Sequence, residues 1–163
     1  MALNDEDEFA QFLAGPYASI VRAVTLITRN GPAADDAVHE AIARAIEHRQ
    51  TIEHLDRWIV TVALNLARSR RRKLQREEMI ARGVERSGEQ PVEVSMDLRR
   101  AIADLPGRQR EVVVLHYLLD WSVADVARSL GLSEGGTKHA LHRARQSLAA
   151  VLAPEHEEIA HEP

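Results

Sequence analysis

Residues 104–145, DLPGRQREVVVLHYLLDWSVADVARSLGLSEGGTKHALHRAR, constrain this chain more than any other stretch. Ser122 stands where a helix needs an N-cap, and Asp125 three residues on completes a capping-box-like pair that supplies partners for free N–H groups. Val123, Val126, Ala127 and Leu130 then follow the i, i+3, i+4, i+7 spacing of an amphipathic helix. Gly131 falls where the chain must turn sharply, and glycine tolerates the positive φ required there. Leu132 can plug the corner. Ser133 caps a second helix whose Thr137, Leu141, Ala144 and Leu148 form a buried stripe. The pattern is a helix-turn-helix.

The opposite face of that second helix carries Lys138, His139, His142, Arg143 and Gln146. Hydrogen-bonding residues along one face, with small residues at the start, suit the major groove, where base edges display a readable donor and acceptor pattern. Arginine adds a bidentate fork for guanine or phosphate, so Arg143 is the expected anchor. Gly135 and Gly136 cost on the order of 1 kcal/mol each relative to alanine. In return they let backbone N–H groups approach a phosphate at a helix N-terminus. The alternative is an αα-hairpin inside a bundle, its polar face merely solvated. His139 and His142 share a face at i, i+3, but no third ligand accompanies them, so no metal site is expected.

The rest of the chain reads as helical. Aromatics make up only 4% of the 163 residues, so packing relies on Leu, Val, Ile and Ala, and no alternating Val/Ile/Thr run reads as a strand. The absence of cysteine excludes disulfides and thiolate metal sites and fits a reducing cytosol. The acidic start, MALNDEDEF, lacks the regions of a signal peptide, and no apolar run approaches the roughly 20 residues of a membrane span. A soluble cytoplasmic protein is expected.

A net charge of −4 is unusual for a DNA-binding chain, but its distribution matters more than its sum. Asp5, Glu6, Asp7, Glu8, Asp35, Asp36 and Glu40 face only Arg22 and Arg29 in the first forty residues, whereas Arg68–Lys73 (RSRRRK) has five bases in six residues. The segment after Pro154 is acidic again. Such a chain offers a basic zone to a polyanion and an acidic zone to something else.

Spacing predicts a short helix over 5–14 with Phe9, Phe12 and Leu13 inward, then a second begun by Pro16 and ended by Asn30-Gly31-Pro32. A third is expected over 33–49, with Asp35 and Asp36 in its first turn, where the helix dipole favours negative charge, and a narrow stripe of Ala37, Val38, Ala41, Ile42, Ala45 and Ile46. Residues 50–54 read as a loop. A long fourth helix starts near residue 55, turns strongly basic, and can continue to about residue 81. Periodicity is lost over 83–91 (GVERSGEQP), which marks a linker. Helices over 94–105 and from Pro106-Gly107 to about residue 119 lead into the helix-turn-helix. The expected fold is all-α: an N-terminal helical domain over 1–82, a linker at 83–93, a helix-turn-helix domain over 94–153 and a frayed acidic tail at 154–163.

Taken together these segments resemble the extracytoplasmic-function (ECF) group of bacterial sigma factors, small two-domain promoter-specificity subunits of RNA polymerase. The resemblance covers roughly residues 9–152. It is most specific in the C-terminal domain, where Leu105-Pro106, Gln109-Arg110-Glu111, Ala127, Leu130-Gly131-Leu132-Ser133, Lys138 and Arg143-Ala144 match the family's fourth conserved region. AADDAVHEAIARA is similar to the core-polymerase-binding helix, and RWIVTVALNLARSRRRK to the promoter-melting helix. The chain departs from the family pattern at His39, where glutamine is usual, at the small Ala43, at Ile46, at Ser69, where aspartate is frequent, and at Gly135-Gly136, where one glycine and a threonine are usual.

The resemblance implies a role for each group. Arg110, Gly135, Gly136, Lys138, His139, His142 and Arg143 would serve the −35 element, with Arg110 on backbone phosphate. Arg68, Arg71, Arg72 and Lys73 would neutralise phosphates near the −10 element, each steepening the salt dependence of binding. Asn65 and the segment Thr51, Ile52, Glu53 and His54 would hold a flipped base, since an unstacked base needs a receiving site. Trp58 either stacks on a base or fills the core. Asp35, Asp36, His39, Glu40 and Arg44 would contact core RNA polymerase at the clamp of its largest subunit, with the flap as a second contact. Promoter DNA is the other implied partner, an anti-sigma protein a further one, and the free chain is expected to be a monomer. No cofactor is implied. No nucleophile with a base, paired carboxylates in an apolar setting or glycine-rich phosphate loop stands out, so an enzyme is not expected. The rival readings are a sigma-like decoy that holds an anti-sigma protein without binding DNA, and a stand-alone helix-turn-helix regulator.

Overall fold

The structure, a computed structural model, describes residues 5–78 and 95–153. The expected linker at 83–93, the acidic tail at 154–163 and the extension of the fourth helix to residue 81 lie outside the described residues. Within them the chain is all-α. The first half holds α1 (Asp5–Ala14), α2 (Pro16–Thr28), α3 (Gly31–Glu47) and α4 (Leu55–Glu78), and the second α5 (Met96–Asp104), α6 (Gly107–Val113), α7 (Val123–Leu130) and α8 (Glu134–Leu152).

Pro16 opens α2 at a position where a missing N–H costs nothing. Arg29 closes it in the left-handed region at φ 57°, its N–H donating to the Thr25 carbonyl at 2.8 Å. Asn30 immediately starts α3: its Oδ1 accepts from the Ala33 N–H at 3.0 Å. The Asn30-Gly31-Pro32 break therefore ends one helix and caps the next. This moves the start of α3 ahead of residue 33, so Asp35 and Asp36 sit in its second turn rather than its first. A 3₁₀ turn, Arg49–Thr51, occupies much of the expected loop before α4.

Ala34, Ala37, Val38, Ala41 and Ala45 of α3 are completely buried. Short side chains let the axes of two packed helices come close, and α3 lies mainly against α4, whose Ile59, Val60, Ala63 and Leu64 are buried on that side of the core.

In the second half α5 is capped by Ser95, whose Oγ accepts from the Leu98 N–H. The helix expected to run to about residue 119 is not uniform: α6 ends at Val113 and continues as a wider π turn, Val114–Leu118. Asp120 then takes a left-handed conformation at φ 55°. The reversal places Trp121 in the core, with its N–H donating to the Leu115 carbonyl at 3.3 Å. His116 Nδ1 lies 2.7 Å from the Trp121 carbonyl oxygen and must carry the proton, since a carbonyl only accepts.

The two helical domains do not stand apart. α2 packs on α5, α6 and the π turn, and α4 packs on α7. Buried residues of both halves, from Ile20 and Val24 through Val112, Leu115 and Trp121 to Leu141, form one continuous apolar cluster.

Candidate nucleic-acid interface

α7 and α8 have the local chemistry expected of a helix-turn-helix. Ser122 Oγ accepts from the Asp125 N–H at 3.1 Å and donates to Asp125 Oδ2 at 2.7 Å. Gly131 sits at φ 65°, and the Leu132 N–H reaches back to the Ala127 carbonyl at 2.9 Å, the long bond of a Schellman-type helix end. Ser133 Oγ accepts from the Gly136 N–H at 3.0 Å and begins α8. Thr137, Leu141 and Ala144 are buried, and Leu148 packs at the edge of the cluster. Gly135, Gly136, Lys138, His139, His142 and Arg143 are all exposed on the remaining face. Among the described residues no three or more His, Cys, Asp or Glu side chains come together as a group that could hold a metal ion.

The basic part of α4 divides into two sets. Arg71, Arg72 and Lys73 are exposed. Arg68 and Arg70 instead bend back onto protein: Arg70 pairs with Glu40 of α3, and Arg68 with Glu111 of α6. Arg68 Nη1 also donates to Asn65 Oδ1 at 3.3 Å, which joins two of the expected −10 residues on one surface. Thr51, Glu53 and His54 are exposed at the start of α4. Ile52, assigned with them from the sequence, is only 6% exposed and belongs to the core, so its side chain does not face a base. Trp58 is half-buried and packs against the core.

Arg110 requires a larger correction. Read as a phosphate contact, it is 6% exposed and turned inward. Its Nε donates to the Ile27 carbonyl in the last turn of α2 at 2.9 Å, and Nη1 to the carbonyls of Ala103 at 3.1 Å and Leu105 at 3.0 Å. A cation at a helix C-terminus satisfies carbonyls that lack intrahelical partners. Burial, helped by nearby Arg29, makes the charged form less favourable and lowers the Arg110 pKa.

The sequence reading did not identify a polar seam between α4 and the second half. Arg57 Nη1 donates to Asp125 Oδ1 at 3.0 Å, and Thr61 Oγ1 lies 2.7 Å from Ser129 Oγ. With Arg68 on Glu111, these contacts follow one stripe of α4. Asp125 thereby joins Ser122, Arg57 and Arg128, and these partners, the Ser122 hydrogen bond foremost, hold its carboxyl below the usual carboxylate range against the opposing effect of burial. The available signal was a helical repeat of polar residues, 57, 61 and 68, beside buried Ile59, Val60 and Leu64.

On α3, Asp35, Asp36, His39, Glu40 and Arg44 share the outer surface. His39 is exposed, with Nε2 3.1 Å from the Tyr17 hydroxyl and Nδ1 3.6 Å from Asp35. Burial, then Asp35, raises the Tyr17 pKa. Glu40 holds both Arg44 and Arg70. No single helix among the described residues is long and apolar enough to cross a membrane.

Two family models match this arrangement: Sigma-70 region 2 over residues 15–77 and Sigma-70, region 4 over residues 95–148. The chain belongs to the ECF RNA polymerase sigma factors, regulators of transcription initiation with a DNA-binding helix-turn-helix as their region 4. It is 32% identical over 148 residues to ECF RNA polymerase sigma factor SigL of Mycobacterium tuberculosis, covering 83% of each chain. It is 32% identical over 135 residues to ECF RNA polymerase sigma factor EcfG of Rhodopseudomonas palustris, covering 77% of this chain and 75% of that one. Among solved structures, its fold matches the sigma factor RpoE in complex with the anti-sigma factor NepR from Bartonella quintana, with a TM-score of 0.80 at 24% identity over 91% of this chain and 98% of that one.

Proposed function

We propose that this chain binds core RNA polymerase in the cytoplasm through the outer surface of α3, reads a −35 element with α8, and holds and helps open a −10 element with α4 and the segment before it. Residues 1–82 form the polymerase and −10 domain in this reading, and residues 94–153 the −35 domain. The observation that carries it is the two-sided layout of α8. Thr137, Leu141 and Ala144 anchor one face while Lys138, His139, His142 and Arg143 are presented together on the other, behind a capped and exposed N-terminus. Base edges and phosphates in a major groove call for that combination. The exposed Arg71, Arg72 and Lys73 supply sequence-independent phosphate attraction at a second place on the molecule. With a net charge of −4 the free chain binds DNA weakly, and polymerase provides the rest of the affinity.

The test is size-exclusion chromatography of the purified chain with core polymerase, followed by binding of the complex to a pool of promoter fragments. Co-elution, with selective retention of fragments sharing two spaced motifs, is the expected result. A chain that elutes apart from polymerase and retains no fragment contradicts the proposal and favours a decoy. Retention of duplex sites without polymerase favours a stand-alone regulator.

A further inference from the structure

His139 and His142 stand together on the recognition face of α8, and both are exposed. Three residues apart on a helix they are neighbours, and each has a cation four positions away: Lys138 before His142, Arg143 after His139. No hydrogen bond or ion pair engages either imidazole among the described residues. By contrast, His39 meets Tyr17 and Asp35, and His116 holds the Trp121 carbonyl. α8 packs on α5, α6 and α7 through its opposite, apolar face. The charged groups of those elements are Asp97, Arg99, Arg100 and Asp104 of α5, Arg108, Arg110 and Glu111 of α6, and Asp125 and Arg128 of α7. None of them pairs with either imidazole. Glu111 takes Arg68 and Arg108, Asp125 takes Arg57 and Arg128, and Arg110 is turned onto carbonyls. On α8 itself the one acid is Glu134, in the first turn, and Arg145 donates to the Tyr117 hydroxyl. The two imidazoles therefore reach the outer face of α8 without a carboxylate to hold them.

We propose that His139 and His142 grip DNA as imidazolium ions, so that −35 binding by α8 takes up protons and strengthens as the solution is acidified through neutrality. The proposal rests on the −35 role given to α8 above and adds a chemistry to it. Imidazole is the side chain whose charge ordinarily changes across neutral pH, whereas lysine and arginine stay charged. A neutral imidazole has one donor, but in the protonated ring both nitrogens donate. Phosphate oxygens only accept, and their negative charge favours the imidazolium over the neutral ring. The sign follows by linkage. The DNA-bound chain holds more protons than the free chain, so affinity rises as pH falls. Lys138 and Arg143 then supply a constant attraction, and the two histidines a variable one on the same face.

The probe is a dye-labelled DNA duplex of random sequence. Its binding to the free full chain, without polymerase, is followed by fluorescence anisotropy at low, constant ionic strength from about pH 8 to about pH 6. The parent should bind roughly tenfold tighter at the acid end. Its salt dependence should also steepen there, each newly neutralised phosphate adding roughly 0.9 to the log–log slope. His139→Gln with His142→Gln keeps hydrogen-bonding groups that cannot be charged, and should cut the gain to below roughly threefold. His48→Gln removes an exposed histidine at the end of α3 and should keep the parent's gain. His139→Lys with His142→Lys fixes both charges and should bind at about pH 8 as tightly as the parent does at about pH 6, which a damaged fold would not do. A parent with flat affinity across the range, a glutamine pair that keeps the full gain, or a lysine pair no tighter than the parent at the alkaline end would overturn the proposal. In a second arm the holoenzyme is offered the promoter pool. No selected fragment there, with proton-linked duplex binding intact, counts against the promoter reading alone. Selected fragments with a flat duplex response count against the proton linkage alone.

Discussion

Arg110 shows how far one residue's environment can depart from its sequence context. A guanidinium followed by Glu111 near a helix-turn-helix suggests a phosphate contact, yet its fork is spread over carbonyls from α2, α5 and the α5–α6 junction. Arg110→Ala leaves buried acceptors without donors and should destabilise the chain by about 2–3 kcal/mol. Arg110→Lys should recover only part of this, because an ammonium cannot span the same fork. Thermal or urea denaturation checks both, and a change within about 0.5 kcal/mol for the alanine variant would contradict this account. Asp125 yields a pH prediction. Its folded pKa lies below the unfolded value, so its contribution is fully present above about pH 4 and is lost as pH falls through the lowered value. Asp125→Asn should therefore show a shallower loss of stability than the parent during acid titration below about pH 4, with the two differing most at neutral pH. Parallel acid curves would remove Asp125 from the seam's energetics.

At the scale of elements, legibility followed local chemistry. The boundaries of α7 and α8 could be read from Ser122, Gly131 and Ser133 because a cap or a left-handed turn depends on a few adjacent residues. The π turn after α6 could not, since Val112 to Leu115 suit an ordinary helix equally well and the widening accompanies the seating of Trp121 in the core. Ile52 was misplaced for a similar reason: the segment was judged as a base-holding loop by resemblance, while its one large apolar side chain is drawn into the core. The adjacent glycines of α8 give a matched pair of tests. A Cβ at Gly135 meets nothing within 4 Å, so Gly135→Ala should stabilise by about 0.5–1 kcal/mol. A Cβ at Gly136 lies 3.0 Å from Ser133 Oγ, so the propensity gain there is offset by a disturbed cap and the net change should fall near zero. Equal gains at both positions, measured by thermal denaturation, would show that the Ser133 cap does not control the start of α8.

For the whole molecule, the sequence predicted two helical units, and those units are present. Their mutual arrangement was not legible. It depends on Arg57, Thr61 and Arg68 finding Asp125, Ser129 and Glu111, pairs more than forty positions apart and individually ordinary on a helix surface. A single apolar cluster running through both halves predicts one cooperative thermal transition for the closed chain, with the calorimetric and van't Hoff enthalpies agreeing. Two resolved transitions would mean that the halves are energetically independent. The most direct test of the central claim is run-off transcription with purified core polymerase on a pool of genomic promoter fragments. The account predicts discrete transcripts whose templates share −35 and −10 motifs, lost with Arg143→Ala or Asn65→Ala while both variants remain folded. Absence of transcripts from the parent chain, in reactions where a known sigma factor programs the same polymerase, would contradict it.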